Sequence, residues 1–367
     1  MDIDELLRYA VKYGASDLHL TVGNPPILRV NGRLKKIPGP ALAREDAQAL
    51  VFSMLSDDQR ASVERKREID LSYTWGTAGT SSAVSLEYVT PERIRARVNV
   101  FLDLTGIGAA FRIIPAKVRT LEELPAPNSV AELTRCPSGL VLVTGPTGCG
   151  KSTTLASMID RIDQERSARI ISIEDPIEYI FASRNCLISQ REIGTHSESF
   201  AAALRACLRE DPDVILVGEM RDLETIRLAL NAAETGHLVL STLHTNDVAQ
   251  TIDRIVDVFP AEQQDYVRQI LANVVQGIIA QKLLLRKDGR GRVAALEVLV
   301  ATPAVRNLIR ESKSHQVSSL VQTGSEHGMQ TMDQSLLHLL ESDAIGLDVA
   351  YAVAQDKKLF APPAGGL

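Results

Sequence analysis

A glycine-rich run between two regular segments carries the clearest chemistry in the sequence. Residues 145–152, GPTGCGKS, match the pattern G-x-x-x-x-G-K-[ST] of a phosphate-binding loop. A strand-like run, LVLV at 140–143, precedes the loop, and a segment with helical periodicity, 151–163, follows it. Glycines let successive backbone N–H groups surround a phosphate, and the amino end of the helix adds positive partial charge. The run therefore predicts that the chain binds a nucleoside triphosphate.

Two side chains of this loop are expected to act on the nucleotide directly. Lys151 is placed for the β and γ phosphates, and the hydroxyl of Ser152 for Mg²⁺. Cys149 occupies a free position of the pattern, where we expect a small filler; the alternative is a thiol that makes nucleotide binding sensitive to oxidation. The residues expected to contact the nucleotide are Gly145, Pro146, Thr147, Gly148, Cys149, Gly150, Lys151, Ser152 and Thr153.

Acidic residues follow two further strand-like runs. Glu174, Asp175 and Glu178 come after IISI, and Glu219 comes after VILV in a run where Gly-Glu replaces the usual terminal Asp of a Walker B strand. Phosphoryl transfer to water needs a metal anchor and a group that positions the water. Ligands in open parallel sheets bind at the carboxyl ends of strands, so both acidic sets should converge on the loop. Taken alone, an acid after a strand is often a helix cap or a surface residue.

Two histidines flank a fourth strand-like run, LVLS at 238–241. His244 lies in STLHTN at the carboxyl edge, near where a γ-phosphate would lie, and this polar cluster favours a phosphate sensor. His237 stands at the start of the same strand, where a structural role stays open. Zinc is not indicated, because no other ligands fall at metal-binding spacing.

An alternating run in the first third of the chain places arginines on one face of a strand. In IRARVNV, Arg95 and Arg97 share one face, and Ala96 and Val98 share the other. Arg112 follows in the next run. Two interpretations stay open: a solvated strand face, or arginines that reach the triphosphate from another domain and stabilise its charge.

These residues need a sheet to position them, and the strand pattern supplies one. Four short, nearly all-apolar runs alternate with helical segments, which predicts an α/β fold with a parallel sheet covered on both faces. Earlier in the chain, an Asn-Gly pair between 27–30 and 33–37 predicts a hairpin, and 45–67 looks helical. The expected divisions are an N-terminal domain at 1–113, a linker at 114–124, the core at 125–300, and a C-terminal helical segment with a flexible tail at 301–367.

Composition narrows the class of protein without identifying it. The 367 residues are 45% hydrophobic and 23% charged, with a net charge of −6, typical of a soluble two-domain protein without a broad basic surface for nucleic acid. The four cysteines form no C-x-x-C pair. The first residues do not resemble a signal peptide, and no apolar run reaches the roughly 18 residues of a membrane span. We therefore expect a cytoplasmic chain whose membrane role is peripheral.

Taken together, the motifs resemble those of the type IV pilus retraction ATPases, in the secretion ATPase superfamily of P-loop NTPases. The resemblance covers nearly the whole chain and is most specific where several motifs occur in the family's order. The matching runs are GASDLHL at 14–20, the loop at 145–153, IEDPIE at 173–178, the atypical Walker B run at 215–222, the histidine run at 236–246 and AVRNLIRE at 304–311.

The resemblance implies a fold, an activity and partners. It implies a PAS-like N-terminal domain plus a RecA-like P-loop ATPase core with C-terminal helices, assembled as a homohexamer that hydrolyses ATP with Mg²⁺ and turns hydrolysis into domain rotation. It implies an inner-membrane pilus platform protein as partner, peripheral membrane association through that platform, a related retraction ATPase as a further partner, and no nucleic acid.

The resemblance also implies roles for individual residues. Glu178 would be the general base for water, and Glu219 would support the metal and the water. His237 and His244 would read the nucleotide state. Arginine-finger-like contacts would come from Arg95, Arg97 and Arg112, with Arg254 as a weaker candidate, and the run at 304–311 would matter for retraction rather than hydrolysis.

The sequence departs from the family pattern at one place and leaves alternatives open. About 14 extra residues around Trp75–Tyr88 precede Arg95, so the connection that leads to Arg95 and Arg97 is longer than the family's usual short turn. The tetracysteine zinc site of extension and secretion ATPases is absent, which favours retraction. The alternatives are an accessory retraction ATPase, a type II secretion or extension ATPase, a RecA-like nucleic-acid motor, and an ATP-binding regulator without turnover.

Overall fold

The structure is a computed structural model that describes residues 2–30, 32–74, 95–114 and 118–361. The chain divides into two compact units. The first comprises Met1–Lys117 with Pro176–Ala182, and the second comprises Val118–Asp175 with Ser183–Leu367. The extra residues around Trp75–Tyr88 and the tail after Ala361 lie outside the described residues.

The first unit is a six-stranded antiparallel sheet with helices packed on it, in the order β3-β2-β1-β6-β5-β4. Leu6 and Leu7 of its first helix, Val51 of its second, and Leu18 and Val98 of the sheet are buried in one core. This is the PAS-like domain that the resemblance implies. Its elements are α1 (Ile3–Lys12), β1 (Asp17–Leu20), β2 (Ile27–Val30), β3 (Arg33–Lys36), α2 (Arg44–Phe52), α3 (Asp57–Lys66), β4 (Glu68–Thr74), β5 (Arg95–Leu102) and β6 (Ile107–Ile114).

The predicted hairpin is confirmed, and the predicted helical region at 45–67 is confirmed as two helices, α2 and α3. Strands β2 and β3 pair antiparallel. The helix is interrupted because Ser56 starts a second helix: its side chain accepts from the backbone of Gln59, and the Gln59 side chain accepts from the backbone of Ser56. Such a capping box is a strong signal for a helix start. The alternation in β5 is confirmed over the described residues, with Val98 buried and Arg97 exposed.

The second unit holds a seven-stranded sheet in the order β13-β12-β7-β11-β10-β8-β9. The four predicted apolar strands are β7, β8, β10 and β11, and they pair in parallel as expected. The sequence did not indicate the other three strands. The strands are β7 (Gly139–Thr144), β8 (Arg169–Glu174), β9 (Leu187–Glu192), β10 (Val214–Val217), β11 (Leu238–Leu243), β12 (Val275–Leu285) and β13 (Arg292–Val300).

Helices cover this sheet and continue to the end of the described chain, so the predicted α/β class and the RecA-like core are confirmed. The helices are α4 (Asn128–Leu133), α5 (Lys151–Glu165), α6 (Phe200–Cys207), α7 (Leu223–Glu234), α8 (Val248–Asp257), α9 (Ala261–Val274), α10 (Pro303–Arg310), α11 (Val317–Thr323), α12 (Met332–Glu341) and α13 (Leu347–Val353). Within the described ranges, no helix is both long and apolar enough to cross a membrane.

Candidate functional site

The phosphate-binding loop connects β7 to α5. Gly145, Gly148 and Gly150 have φ values of 141°, 79° and 94°, a backbone region that side chains disfavour. Helix α5 begins at Lys151 without a side-chain cap at its amino end. Left-handed loop conformations and an uncapped helix start are the features with which backbone N–H groups bind phosphate. The loop therefore fits a nucleotide phosphate group.

Two of these glycines are also required by their neighbour across the loop. A Cβ on Gly145 would lie 2.3 Å from the carbonyl oxygen of Gln281, and one on Gly150 would lie 2.8 Å from Gln281 Nε2. The motif is therefore glycine-rich partly because the adjacent strand β12 touches it, and partly because of its backbone angles.

Lys151 folds back over the loop. Its Nζ donates to the carbonyl oxygens of Gly145 at 2.8 Å and Pro146 at 3.2 Å, and lies 3.5 Å from His244 Nδ1. A phosphate oxygen is a stronger partner for the ammonium group than these carbonyls, because it is charged. Lys151 thus lies within reach of the expected phosphate position.

His244 connects this lysine to the atypical Walker B run. Its Nε2 lies 2.9 Å from Glu219 Oε1, and Arg221 Nε lies 2.7 Å from the same oxygen. The Glu219 side chain is only 17% exposed, so its carboxylate contacts Arg221 and His244 in partly desolvated surroundings. Lys151, His244 and Glu219 therefore form a continuous polar chain at the carboxyl edge of the sheet. The sequence analysis did not predict a role for Arg221. Its position two residues after Glu219 was the signal that could have suggested this contact.

The acids after β8 occupy two different environments. Glu174 Oε1 accepts from Ser172 Oγ at 2.8 Å, and Asp175 is exposed. Glu178 is half-buried in Pro176–Ala182, the segment that groups with the first unit. Its role as the general base stays a prediction.

His237 lies at the other end of strand β11. Its Nδ1 lies 2.9 Å from the carbonyl oxygen of Ala232 and 3.2 Å from Thr235 Oγ1, at the end of α7. The loop follows the carboxyl end of β7, whereas His237 precedes β11, which runs parallel to β7. His237 therefore lies at the amino ends of the parallel strands, whereas the loop lies at their carboxyl ends. The structure does not bring His237 together with Lys151 of the same chain.

The three predicted arginines all belong to the sheet of the first unit. Arg97 lies directly opposite Arg112 across β5 and β6, and Arg112 lies opposite Asp17 across β6 and β1. Like charges in directly opposite positions destabilise a sheet. Arg112 Nε contacts Asp17 Oδ1 at 3.3 Å, and Arg29 approaches the same carboxylate at 3.8 Å. Asp17 therefore pairs with Arg112 and lies close to Arg29. Arg254, the weaker candidate, is exposed on α8.

Two buried polar residues of the core sheet were not predicted. Gln281 lies in β12 and contacts both the loop and α5. Glu297 lies in β13, and its Oε2 accepts from Val248 N at the start of α8 at 3.2 Å. Burial raises the pKa of the Glu297 carboxyl to about 7. In the sequence, each is a single polar residue in a mainly apolar run: Gln281 in IIAQ and Glu297 in AALEV. A polar residue in such a run was the signal that could have indicated a buried polar contact.

The side chains predicted to hold Mg²⁺ are Ser152, in the first turn of α5, and Glu219, and both carry oxygen atoms. Oxygen ligands and few protein contacts suit Mg²⁺ bound together with substrate phosphates. In the described part of the chain, no group of three or more His, Cys, Asp or Glu side chains is placed to hold a metal ion by itself.

Cys149 is buried within the loop, and burial raises the pKa of its thiol. A raised thiol pKa lowers the thiolate fraction and hence the reactivity. The geometry therefore favours the small filler over the oxidation-sensitive thiol.

Comparison with known proteins places this site in a family of ATPases. The model of the family described as "Type II/IV secretion system protein" matches residues 88–344. The chain is 49% identical to the type IV pilus retraction ATPase PilT of Pseudomonas aeruginosa, over 98% of this chain and 100% of that protein. The solved structure of the pilus retraction motor PilT with bound ADP matches with a TM-score of 0.86 and 47% identity, covering 98% of each chain. The chain belongs to the type II/IV secretion system protein family.

Within that family, the chain is of the PilT retraction type. Its identity to PilT exceeds its identity to the type IV pilus ATPase PilU of the same organism, which is 38% over 96% of this chain and 89% of that protein.

Proposed function

We propose that the chain is the ATP-hydrolysing motor that powers type IV pilus retraction, and that its activity depends on Mg²⁺. The observation that carries the proposal is the polar chain of Lys151, His244 and Glu219 beside an uncapped phosphate-binding loop. Similarity to PilT over nearly the full length of both chains supports retraction as the output. The lower similarity to PilU favours the main retraction ATPase over the accessory one.

In this proposal, each side chain has a defined task. Lys151 exchanges the carbonyls of Gly145 and Pro146 for phosphate oxygens, and the residues of the loop hold the phosphates through backbone N–H groups. Ser152 and Glu219 would hold Mg²⁺, which would supply positive charge beside the phosphates. Glu178 orients and deprotonates the attacking water.

His244 is proposed to report the state of the nucleotide. Its two ring nitrogens face Lys151 and Glu219, so a change at either partner alters the hydrogen bond that the ring makes with the other. When Lys151 moves to a γ-phosphate, Nδ1 of His244 loses this donor and is left to accept from water. The loop that carries His244 leads directly into α8, which passes the change onward.

We further propose a homohexamer in which Arg95, Arg97 and Arg112 act on nucleotide bound by a neighbouring subunit. Their support is the unfavourable pairing of Arg97 with Arg112, which an anion would relieve. His237, at the opposite sheet edge from its own loop, is proposed to act at a subunit interface. The inner-membrane platform protein at the pilus base is the proposed partner, at the cytoplasmic face of the membrane. A net charge of −6 gives no support to a nucleic-acid partner.

The central test is Glu178→Gln. The amide keeps the size of the side chain but cannot accept a proton, so we expect hydrolysis to fall by about 100-fold or more while ATP still binds. Turnover is measured as phosphate release, and binding with a fluorescent ATP analogue. The matched control is Glu224→Gln, the same chemical change at an exposed site on α7 that pairs with Arg205. Full turnover by Glu178→Gln would remove Glu178 as the base.

Deleting the gene tests the biological output. We expect cells that carry pili and cannot twitch, because extension continues without retraction. Cells without pili would identify an extension ATPase, and retained twitching would favour the accessory role. Hydrolysis by the purified protein that duplex DNA stimulates would favour the nucleic-acid motor.

A further inference from the structure

Gln281 is the buried polar side chain that touches the phosphate-binding loop from outside the motif. It lies in β12, which pairs in parallel with β7, the strand that leads into the loop. The residue is 3% exposed. Its Nε2 donates to the carbonyl oxygen of Cys149 at 2.6 Å, and its Oε1 accepts from Thr154 Oγ1 at 2.7 Å.

The chemistry of the two partners fixes the orientation of this amide. A carbonyl oxygen can only accept, so the amide nitrogen must face Cys149. The amide oxygen then faces Thr154, whose hydroxyl donates to it. Thr154 lies in the first turn of α5, so the Gln281 side chain bridges the main chain of the loop and the helix that follows it.

Holding the Cys149 carbonyl also determines the direction of the next N–H group. The C=O of Cys149 and the N–H of Gly150 belong to one planar trans peptide, in which the two groups point in opposite directions. Gln281 holds the oxygen on the β12 side, so the Gly150 N–H points away from β12. Because Gly150 has a φ of 94°, its conformation is freely accessible only to glycine, and glycine also permits the peptide to rotate.

We propose that Gln281 is a positioning residue for nucleotide binding: it prevents rotation of the Cys149–Gly150 peptide and so keeps the Gly150 N–H directed at the bound phosphates. Thr154 assists by orienting the amide. The inference rests on the proposed nucleotide binding, and it adds a residue outside the loop motif that determines the motif's shape.

The test replaces Gln281 by Leu, which is apolar and similar in size. Free rotation of the peptide leaves the phosphates with one fewer oriented donor, so we expect the Kd for ADP to rise by about tenfold, the effect of losing one buried hydrogen bond. The donor acts on bound substrate and transition state alike, so KM for ATP should rise while kcat changes by less than about threefold. Pyrophosphate, as a competitor of a fluorescent ADP, should lose affinity by the same factor, because the effect is confined to the phosphates.

Substitutions of Thr154 provide a second test, with a smaller expected effect on the Kd for ADP. Thr154→Val removes the hydroxyl at constant shape, and we expect a smaller rise in the Kd for ADP, about threefold. Thr154→Ser restores a donor and should recover most of the affinity. This series keeps the inference testable if Gln281→Leu does not fold.

The matched control is Gln276→Leu, the same substitution in the same strand. Gln276 donates to the carbonyl oxygen of Ser138 at 2.9 Å and does not contact the loop. We expect its Kd for ADP to stay within about twofold of the unaltered chain. Wild-type affinity in folded Gln281→Leu, or an equal loss in the control, would overturn the inference. An unaltered chain that binds no nucleotide would contradict the proposed function itself.

Discussion

At the scale of single residues, the site depends on one histidine that contacts both the loop and the Walker B run. His244 lies 3.5 Å from Lys151 and 2.9 Å from Glu219. Arg221 competes for the same carboxylate oxygen. Both side chains therefore contact Glu219 Oε1, and the proposed binding of Mg²⁺ requires one of them to release it. The sequence placed the three residues at the same sheet edge, because all follow the carboxyl ends of parallel strands.

The buried carboxyl of Glu297 leads to a prediction about how the stability of the fold depends on pH. Burial raises the pKa of its carboxyl to about 7; the bond from Val248 N opposes this, and Asp247, Lys282 and Asp333 act in addition. The folded state therefore keeps a proton that the unfolded chain releases near its ordinary pKa of 4.5. Stability from this group is full below that value and is lost as the pH rises to about 7.

The variant that checks this is Glu297→Gln, which cannot ionise and can still accept from Val248 N. Its free energy of unfolding should exceed that of the unaltered chain by roughly 3 kcal/mol at pH 8, and the difference should vanish below the unfolded pKa of 4.5. Urea unfolding at the two pH values measures the difference. A difference independent of pH would assign the effect to packing instead.

At the scale of elements, the AVRNLIRE run forms α10 and holds the end of a neighbouring helix. Arg306 donates to the carbonyl oxygens of Ala272 and Asn273, each at 2.6 Å, and to Gln276 Oε1 at 3.0 Å. Ala272 and Asn273 are in the last turn of α9, where carbonyls lack partners inside the helix. Arg306 therefore caps α9, and a cation there also complements the helix dipole.

Arg306→Ala should lower the free energy of unfolding by about 2 kcal/mol, because it leaves half-buried carbonyls without a charged donor. ADP affinity should be unchanged, since α10 does not contact the loop. Arg310→Ala is the control: Arg310 is exposed and donates to Asn273 Oδ1 at 3.0 Å. Its loss should stay below about 1 kcal/mol. Equal losses in urea unfolding would argue against the cap.

At the scale of the whole molecule, the proposed arginines and the loop belong to different units of the chain. If the arginines act on a neighbour's nucleotide, two inactive variants should restore activity when they share a ring. We expect this for Lys151→Ala co-expressed with Arg97→Ala, because some interfaces then combine an intact loop with an intact Arg97. Phosphate release by the purified mixed rings measures the recovery.

In the control, the Arg97→Ala subunit is co-expressed with a subunit that carries both Lys151→Ala and Arg97→Ala. No subunit of that mixture supplies Arg97, so activity should not recover. Recovery in neither mixture would place the action of Arg97 within its own subunit or outside hydrolysis.

The local sequence pattern was sufficient to predict the phosphate-binding loop and four strands of the core. It also predicted that the acids and His244 meet at the carboxyl ends of those strands. These features depend on short-range signals: apolar runs, glycine spacing, and the rule that parallel strands bring their carboxyl ends together. The same signals missed the break at Ser56, because a capping box interrupts a helix without changing its composition. They also missed β9, β12 and β13, in which polar residues such as Gln190, Gln281 and Glu297 interrupt the apolar run.

Only the tertiary structure decided which distant side chains meet. Gln281 contacts a loop more than a hundred positions earlier in the chain, and Arg306 caps α9 across a strand hairpin. His237 and His244, seven positions apart, lie at opposite edges of the sheet because a strand is extended. Type and spacing thus determine what chemistry the residues can perform. Strand order and register determine which of them perform it together, since they set distances between residues far apart in the chain.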